Sequence, residues 1–418
     1  MQLTHLSLTN YRNFSRLDLD VPGGTLLLVG ANAQGKTSLL EAIYFLATLT
    51  SFHASSDRQL INFLEGRNPL AVARIVADFT RRSGSHRLEV RIIQENEPGN
   101  GPRARKEVLL DGLKRKSSEV IGQFNAVLFL PQMLAVVDGA PEERRRYLNL
   151  ALAQVIAHYA DALSDYTRAL TQRNALLKQL FERQGDPAQL DYWDEQLAAS
   201  GAQVIHARIR AIQELERLAA RTHLELTHGE EVLRLNYQPA YDPLQSSNAK
   251  TNGKSNGKSN GQGEPLRQLG LLLDTPVDRS TCSLESIRRG FREALTCLRS
   301  EEIARGMTTI GPHRDELRFQ TNGIDLGIYG SRGQVRTAML ALKIAEMSWM
   351  KDKTGDWPVL LLDEVLAELD TLRRRDLLER LTQSEQALLT TTDLDLFAPE
   401  FVQCASLWNV HSGRVDKR

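Results

Sequence analysis

TLLLVGANAQGKTSLLEAIYFLA, residues 25–47, passes from an apolar strand-like run (Thr25 to Val29) through Gly30-Ala31-Asn32-Ala33-Gln34-Gly35-Lys36-Thr37 into a helical run from Ser38 to Leu46. A GxxxxGK[ST] loop set between a strand and a helix is a phosphate cradle. Its glycines let successive backbone N–H groups turn towards phosphate oxygens at a helix N-terminus. Lys36 would neutralise charge on the β- and γ-phosphates, and the Thr37 hydroxyl would ligate magnesium. Residues 30–37 are therefore candidate nucleotide ligands, with ATP and Mg2+ the expected occupants, and the strand-loop-helix setting predicts an α/β fold.

Near the far end of the chain, Val359-Leu360-Leu361-Leu362-Asp363-Glu364 is an apolar strand that ends in two carboxylates. There Asp363 can hold magnesium through water, and Glu364 can polarise a water for attack on phosphorus. Between the two motifs lies Gly330-Ser331-Arg332-Gly333-Gln334, ahead of a helical run from Ala338 to Met350. Its hydroxyl and N–H groups suit either a phosphate or the capping of that helix. The order of phosphate loop, Ser-Gly turn and carboxylate strand resembles the ABC-type ATPases, in which the Ser-Gly signature meets ATP held by a second subunit. That resemblance makes Ser331, Gly333 and Gln334 candidate nucleotide ligands across a homodimer, and it matches Glu368-Leu369-Asp370 to a D-loop, adding Asp370. Gln132, after the strand Ala126 to Leu130, reads either as a magnesium-sensing glutamine or as a surface residue. Thr390-Thr391-Thr392-Asp393 ends the next strand, where many ABC proteins carry histidine. Thr391 can orient water but cannot act as a charged switch, which implies slow hydrolysis.

Lys plus Arg and Asp plus Glu each total 52, so no overall positive field draws the molecule to nucleic acid and any DNA contact has to be local. Two basic clusters, Arg103, Arg105, Lys106 and Lys114, Arg115, Lys116, lie on opposite limbs of a hairpin predicted around Asp111-Gly112. They read as one phosphate-binding patch or as a solvated face. An apolar content of 41% with 25% charged residues is that of a globular protein and excludes global disorder. Cys282, Cys297 and Cys404 show no metal-ligand or paired spacing, and no run reaches roughly 18 apolar residues. A cytoplasmic protein without a membrane segment is expected.

Strand-like segments dominate to about Phe129. From Pro141 the apolar positions Leu148, Leu152, Ile156, Tyr159, Leu163, Tyr166 and Leu170 keep a helical period, and a second periodic run spans about Gln189 to Thr227 beyond Gly185-Asp186-Pro187. Two long antiparallel helices, a helical arm, are predicted. Residues 246–263 contain GKSNGKSNG and almost nothing apolar, which predicts a flexible linker. Strands return at Arg314 to Phe319, Val359 to Leu362, Ala387 to Thr391 and Ser406 to Val410. The expected organisation is an ATPase head from residues 1–140 and 300–418, whose chain ends share one sheet, with a helical lobe inserted at 141–299.

A helical hairpin inserted into an ABC-type head resembles the SMC group, and Asn10-Tyr11-Arg12-Asn13-Phe14 resembles its N-terminal motif, whose arginine approaches the nucleotide, making Arg12 a candidate. Within that group the chain resembles the RecF family. The likeness rests on Gly311-Pro312-His313-Arg314-Asp315, on Gly139-Ala140-Pro141 with Arg144-Arg145-Arg146-Tyr147-Leu148, and on Gln172-Arg173-Asn174, Leu176-Leu177-Lys178 and Trp193-Asp194 in the arm. The chain departs from the family at Gln132-Met133, where acidic residues are common, and at Val335, where glutamine is common. The resemblance implies an ATP-stabilised homodimer that acts at gapped or single-strand/double-strand DNA junctions and assists RecA loading with RecR and RecO. A non-enzymatic DNA scaffold using ATP as dimer glue and a transporter-type ATPase are the rival classes.

Overall fold

The computed structural model describes residues 1–97, 101–244, 277–381 and 384–417, so the linker expected at 246–263 lies outside the described residues. The chain forms two compact units, Met1–Leu134 with Ala153–Ala157 and Met339–Arg418, and Ala135–Leu152 with His158–Ala338.

The first unit contains β1 (Gln2–Tyr11), β2 (Phe14–Asp20), β3 (Gly24–Val29), β4 (Leu70–Arg81), β5 (Gly84–Glu97), β6 (Gly101–Leu110), β7 (Leu113–Arg115) and β8 (Ala126–Phe129). An antiparallel sheet runs β2-β1-β4-β5-β6-β7. Its last hairpin turns at Asp111 (φ 51°) and Gly112 (φ 79°), the two left-handed residues a type I′ turn requires. β3 and β8 belong instead to a second sheet, with strands from the far end of the chain.

The second unit supplies β9 (Leu233–Gln238), β10 (Glu316–Thr321) and β11 (Ile324–Asp325), a separate three-stranded sheet in the order β11-β10-β9. The chain then returns to the first unit with β12 (Val359–Asp363), β13 (Gln386–Thr391), β14 (Ser406–His411) and β15 (Arg414–Lys417). The second sheet of that unit is β15-β14-β3-β13-β12-β8, parallel except at β14–β15. β12 and β13 are buried along their whole length, which is why they read as unbroken apolar runs and not as alternating ones. Leu26 and Leu28 of β3, Leu361 of β12 and Leu388 of β13 share one core with Leu6 and Leu8 of β1. Both chain ends thus build one sheet, as expected.

In the second unit, the helix Pro141–Ala153 stops where the sequence period predicts continuation, and a new helix, Tyr159–Phe181, starts after His158 at φ 62°. The first helix stops at Ala153 despite intact apolar spacing, and residues 154–157 turn before the left-handed His158 opens the next helix. The arm is completed by Leu190–Leu226, after a turn in which the Asp186 carboxylate accepts the Ala188 N–H at 2.9 Å. Residues 300–338, expected in the head, pack in this unit. The cause is a set of buried ion pairs. Arg173 meets Asp194 and Glu302, each at 2.7 Å, and Arg208 meets Asp315 at 2.7 Å. Gly311 (φ 119°) leaves no room for a side chain, since a Cβ there would lie 2.5 Å from the Tyr166 hydroxyl. The Tyr166 hydroxyl lies 2.6 Å from His313 Nδ1, and burial pushes the His313 pKa down to about 4. Gly311–Asp315 is therefore a joint between the arm and β10, with Gly311, Pro312 and Asp315 buried.

Replacing Arg208 with Met should lower stability by about 3–5 kcal/mol in urea unfolding, because Asp315 would stay buried without its cation. A loss within about 0.5 kcal/mol, typical of a surface site, would remove the joint's role.

Candidate nucleotide-binding site

β3 delivers Gly30 next to β13, where the Gly30 N–H donates to the Thr391 carbonyl at 3.3 Å. The loop then reverses through Ala33 (φ 64°) and Gly35 (φ 114°) into the helix Lys36–Thr48. Gly35 is demanded twice: its backbone is left-handed, and a Cβ would lie 2.4 Å from Asn13 Nδ2. No side chain caps this helix and its first turn carries no acidic residue, so its N–H groups and positive dipole end stay available to an anion. Lys36 is buried, and its ammonium donates to the carbonyls of Gly30 (2.7 Å) and Ala31 (3.1 Å) and pairs with Glu364 at 3.2 Å.

The parallel register sets Asp363 beside Thr390 and brings both against the phosphate loop. Thr37 Oγ1 lies 3.0 and 2.8 Å from the two Asp363 oxygens, and the Thr390 hydroxyl donates to Asp363 Oδ1 at 2.6 Å. The Glu364 N–H in turn donates to Thr390 Oγ1 at 3.0 Å. Glu364 itself holds a left-handed backbone, φ 52°. A non-glycine residue there costs on the order of 1 kcal/mol or more, and such strain gathers at functional sites.

Lys36, Thr37, Asp363 and Glu364 line an open cavity of about 740 Å3 with Arg12, Asn13, Asn32, Ala33, Gly35 and Gln132. Arg12 forks onto the buried Glu41 carboxylate, 2.7 Å from both Nε and Nη2, while Nη1 donates to the Gln59 carbonyl at 3.1 Å. Burial opposes its charge, but the hydrogen bonds and charge of Glu41 prevail, so its pKa is raised. Ser51 also donates to Glu41, at 2.5 Å. Magnesium suits the donor set: a hydroxyl and a carboxylate are hard oxygen ligands, and this ion usually keeps waters and substrate phosphates in its remaining positions.

Other candidates fall elsewhere. The Gln34 carboxamide accepts the Ser412 N–H at 2.7 Å, bracing the loop against the β14–β15 turn. The Thr391 hydroxyl donates to the Asp393 carbonyl at 2.7 Å and closes a local turn, so Thr390 and not Thr391 touches the carboxylates. Period-two alternation in β13 puts neighbouring threonines on opposite faces, and a Thr-Thr-Thr run does not announce which one faces Asp363. Asp370 accepts the Arg373 N–H at 2.9 Å, which lowers its pKa, and Arg374 holds the Leu366 and Leu369 carbonyls. In the second unit, the Gln334 N–H donates to Ser331 Oγ at 3.2 Å and the Ser331 N–H to Gln334 Oε1 at 3.0 Å. This is a reciprocal capping box, which encloses Gly333 in the first turn of the helix Arg332–Thr354. Both readings of the turn thus share one geometry, because the cap leaves Ser331 exposed.

The basic residues of the β6–β7 hairpin do not form one patch. Arg103, Arg105 and Lys114 share a face with Glu95 and Glu107, and Arg105 and Lys114 are paired to those acids. Lys106 is on the other face, paired with Asp57 at 3.1 Å and near the Phe45 ring. Arg115 and Lys116 are exposed. Among residues that line the cavity or brace it, sequence reasoning missed Asn13, Glu41 and Thr390; a lone Glu41 in the apolar run Leu39–Leu46 was the legible clue.

A phosphate loop after β3, a carboxylate pair after β12 and a parallel order β14-β3-β13-β12-β8 define an ABC-type P-loop ATPase head. Comparison with known proteins sharpens this class. The family model described as RecF/RecN/SMC N terminal domain matches residues 2–411. DNA replication and repair protein RecF of Chloroflexus aurantiacus is 41% identical over 428 residues, covering 99% of each chain, and that of Chloroflexus aggregans is 39% identical over 426 residues with the same coverage. A solved structure of the recombination mediator protein RecF-ATP in the RecFOR pathway aligns with a TM-score of 0.79 at 27% identity, covering 100% of this chain and 97% of that one. The chain belongs to the RecF family.

Thr390→Val removes one hydroxyl that serves both carboxylate residues and should lower ATP turnover by roughly tenfold to a hundredfold, the value of a charge-assisted hydrogen bond. Thr391→Val should cost about 1 kcal/mol of stability and leave turnover nearly intact. Steady-state phosphate release that falls equally in both variants would contradict the assignment.

Proposed function

We propose that the chain is an ATP-dependent DNA-binding clamp of recombinational repair and replication, closed by ATP between two copies and reset by slow hydrolysis. The observation that carries this reading is the convergence of Lys36, Thr37, Asp363 and Glu364 on one cavity, with the Thr390 hydroxyl bound to Asp363. In it, the N–H groups of residues 30–37 and Lys36 bind the β- and γ-phosphates. Thr37 and Asp363 would hold Mg2+, which supplies further neutralisation of phosphate charge. Glu364 orients a water and takes its proton as that oxygen bonds to the γ-phosphorus and the bond to the β-phosphate oxygen breaks. Gln132 faces the same cavity and is proposed to follow the metal.

Two observations favour slow turnover. Glu364 is paired with Lys36 at 3.2 Å, and the residue beside the carboxylates is a threonine, which cannot carry positive charge. Each chain has one phosphate loop and one Ser331 turn, so closed two-fold symmetry supplies two composite sites, with Ser331, Gly333, Gln334 and Asp370 reaching the partner's nucleotide. DNA contact at gapped or single-strand/double-strand junctions is assigned to the hairpin, chiefly Arg115 and Lys116, because Arg105, Lys106 and Lys114 are paired to carboxylates and Arg103 lies opposite Glu95. Contacts of this kind engage phosphates without reading sequence. Relatives described as DNA replication and repair proteins, and an ATP-bound one in the RecFOR pathway, support RecR and RecO as partners, with RecA proposed as the protein they help to load.

Lys36→Arg keeps the charge but replaces a compact ammonium, held by two carbonyls, with a planar fork. ATP affinity and turnover should each fall by about tenfold or more, as expected when at least one charge-assisted contact is misplaced. Isothermal titration and phosphate release matching wild type would remove Lys36 from the site.

A further inference from the structure

Phe63 and Leu64 are 73% and 68% exposed, yet both line the cavity that contains Lys36 and Thr37. Large apolar side chains held open to water inside a binding cavity are what apolar parts of ligands require. The segment that carries them is fastened. Tyr11 bridges Ile61, the Arg12 N–H donates to the Leu60 carbonyl at 2.8 Å, and the Asn62 N–H donates to the Asn10 carbonyl at 2.8 Å. The Asn62 side chain donates to the Arg12 carbonyl at 2.8 Å and accepts the Leu64 N–H at 3.0 Å. Leu60 and Ile61 are buried beneath. Phe63 is thus presented on fixed backbone, and the Arg67 guanidinium carbon lies 4.6 Å from its ring centroid, within cation–π range. One ring face is backed by a cation, and the other is left for a planar guest.

We propose that Phe63, backed by Arg67, is the base-stacking residue of the nucleotide site, carrying the purine of a nucleoside triphosphate whose phosphates reach residues 30–37. The assignment rests on the nucleotide-site reading and deepens it. The platform meets the face of the base and not its edge: the Asn62 carboxamide is engaged at both ends, and Gln59 Oε1 accepts the Ser55 N–H at 2.9 Å. Stacking of this kind is tolerant of base identity.

The test is equilibrium binding of ATP, GTP and inorganic tripolyphosphate to the full-length chain and its variants. Phe63→Ala should weaken ATP and GTP alike, by about tenfold or more, and leave tripolyphosphate unchanged, while Phe63→Trp should retain nucleotide affinity. Lys36→Ala should weaken all three. Unchanged ATP affinity in Phe63→Ala, or equal losses for ATP and tripolyphosphate, would overturn the assignment of Phe63. Unchanged affinity together with lost self-association would also overturn it, giving Phe63 to a contact with a second copy. Failure of the underlying reading would show separately, as a wild-type chain that binds none of the three.

Discussion

The Asp363 carboxylate is the point on which the first unit converges, because it accepts both the Thr37 and the Thr390 hydroxyls and so joins the phosphate loop, β12 and β13. A buried carboxylate is tolerated only when its lone pairs are used. Here that requirement aligns residues 326 and 27 positions away in the chain. The parallel register follows the same constraint: Asp363 pairs with Thr390, and Thr391 pairs with Val29 at the entrance to the loop. The β12–β13 and β13–β3 contacts are therefore also the alignment of the site.

Around that point the backbone is set in conformations that cost energy. Ala33, Glu364 and Arg12 are all left-handed, and each is held by neighbours that over-determine it: the β14–β15 turn on Gln34, Thr390 on Glu364, and Leu60 with Asn62 on Arg12. Such preorganisation lets charged groups act without reorganising when charge develops. The second unit uses the same physics differently. Its arm is secured by Arg173, set between Asp194 and Glu302, and by Arg208 on Asp315, where close ion pairing offsets the loss of hydration.

Motifs that act locally were legible in the sequence. The phosphate loop, the carboxylate strand, the Asp111-Gly112 turn and the arm each follow from a few adjacent residues or one period. What depended on register was not. Thr390 and Thr391 are chemically identical, and only their pairing across β12 and β3 decides which faces Asp363. The basic residues 103–116 read as one cluster along the chain, but strand alternation divides them between two faces. Gly311–Asp315 was legible only as a motif of the family resemblance, and its role as a joint comes from Tyr166, Arg208 and Tyr237, which reach it from far away in the chain. The period through Ile156 predicted one helix where His158 begins another, since spacing does not report a left-handed residue.

In the proposed dimer, a nucleotide on one chain's residues 30–37 is completed by Ser331 of a second chain. Light scattering in Mg-ATP of Lys36→Ala and Ser331→Arg, each alone and then mixed, tests it most directly. Neither variant alone can build an intact composite site, but a mixed pair has one, formed by the phosphate loop of the Ser331→Arg chain and the signature of the Lys36→Ala chain. Monomers are expected for each variant alone and ATP-dependent dimers in the mixture. Monomers throughout, or dimers from either variant alone, would contradict it.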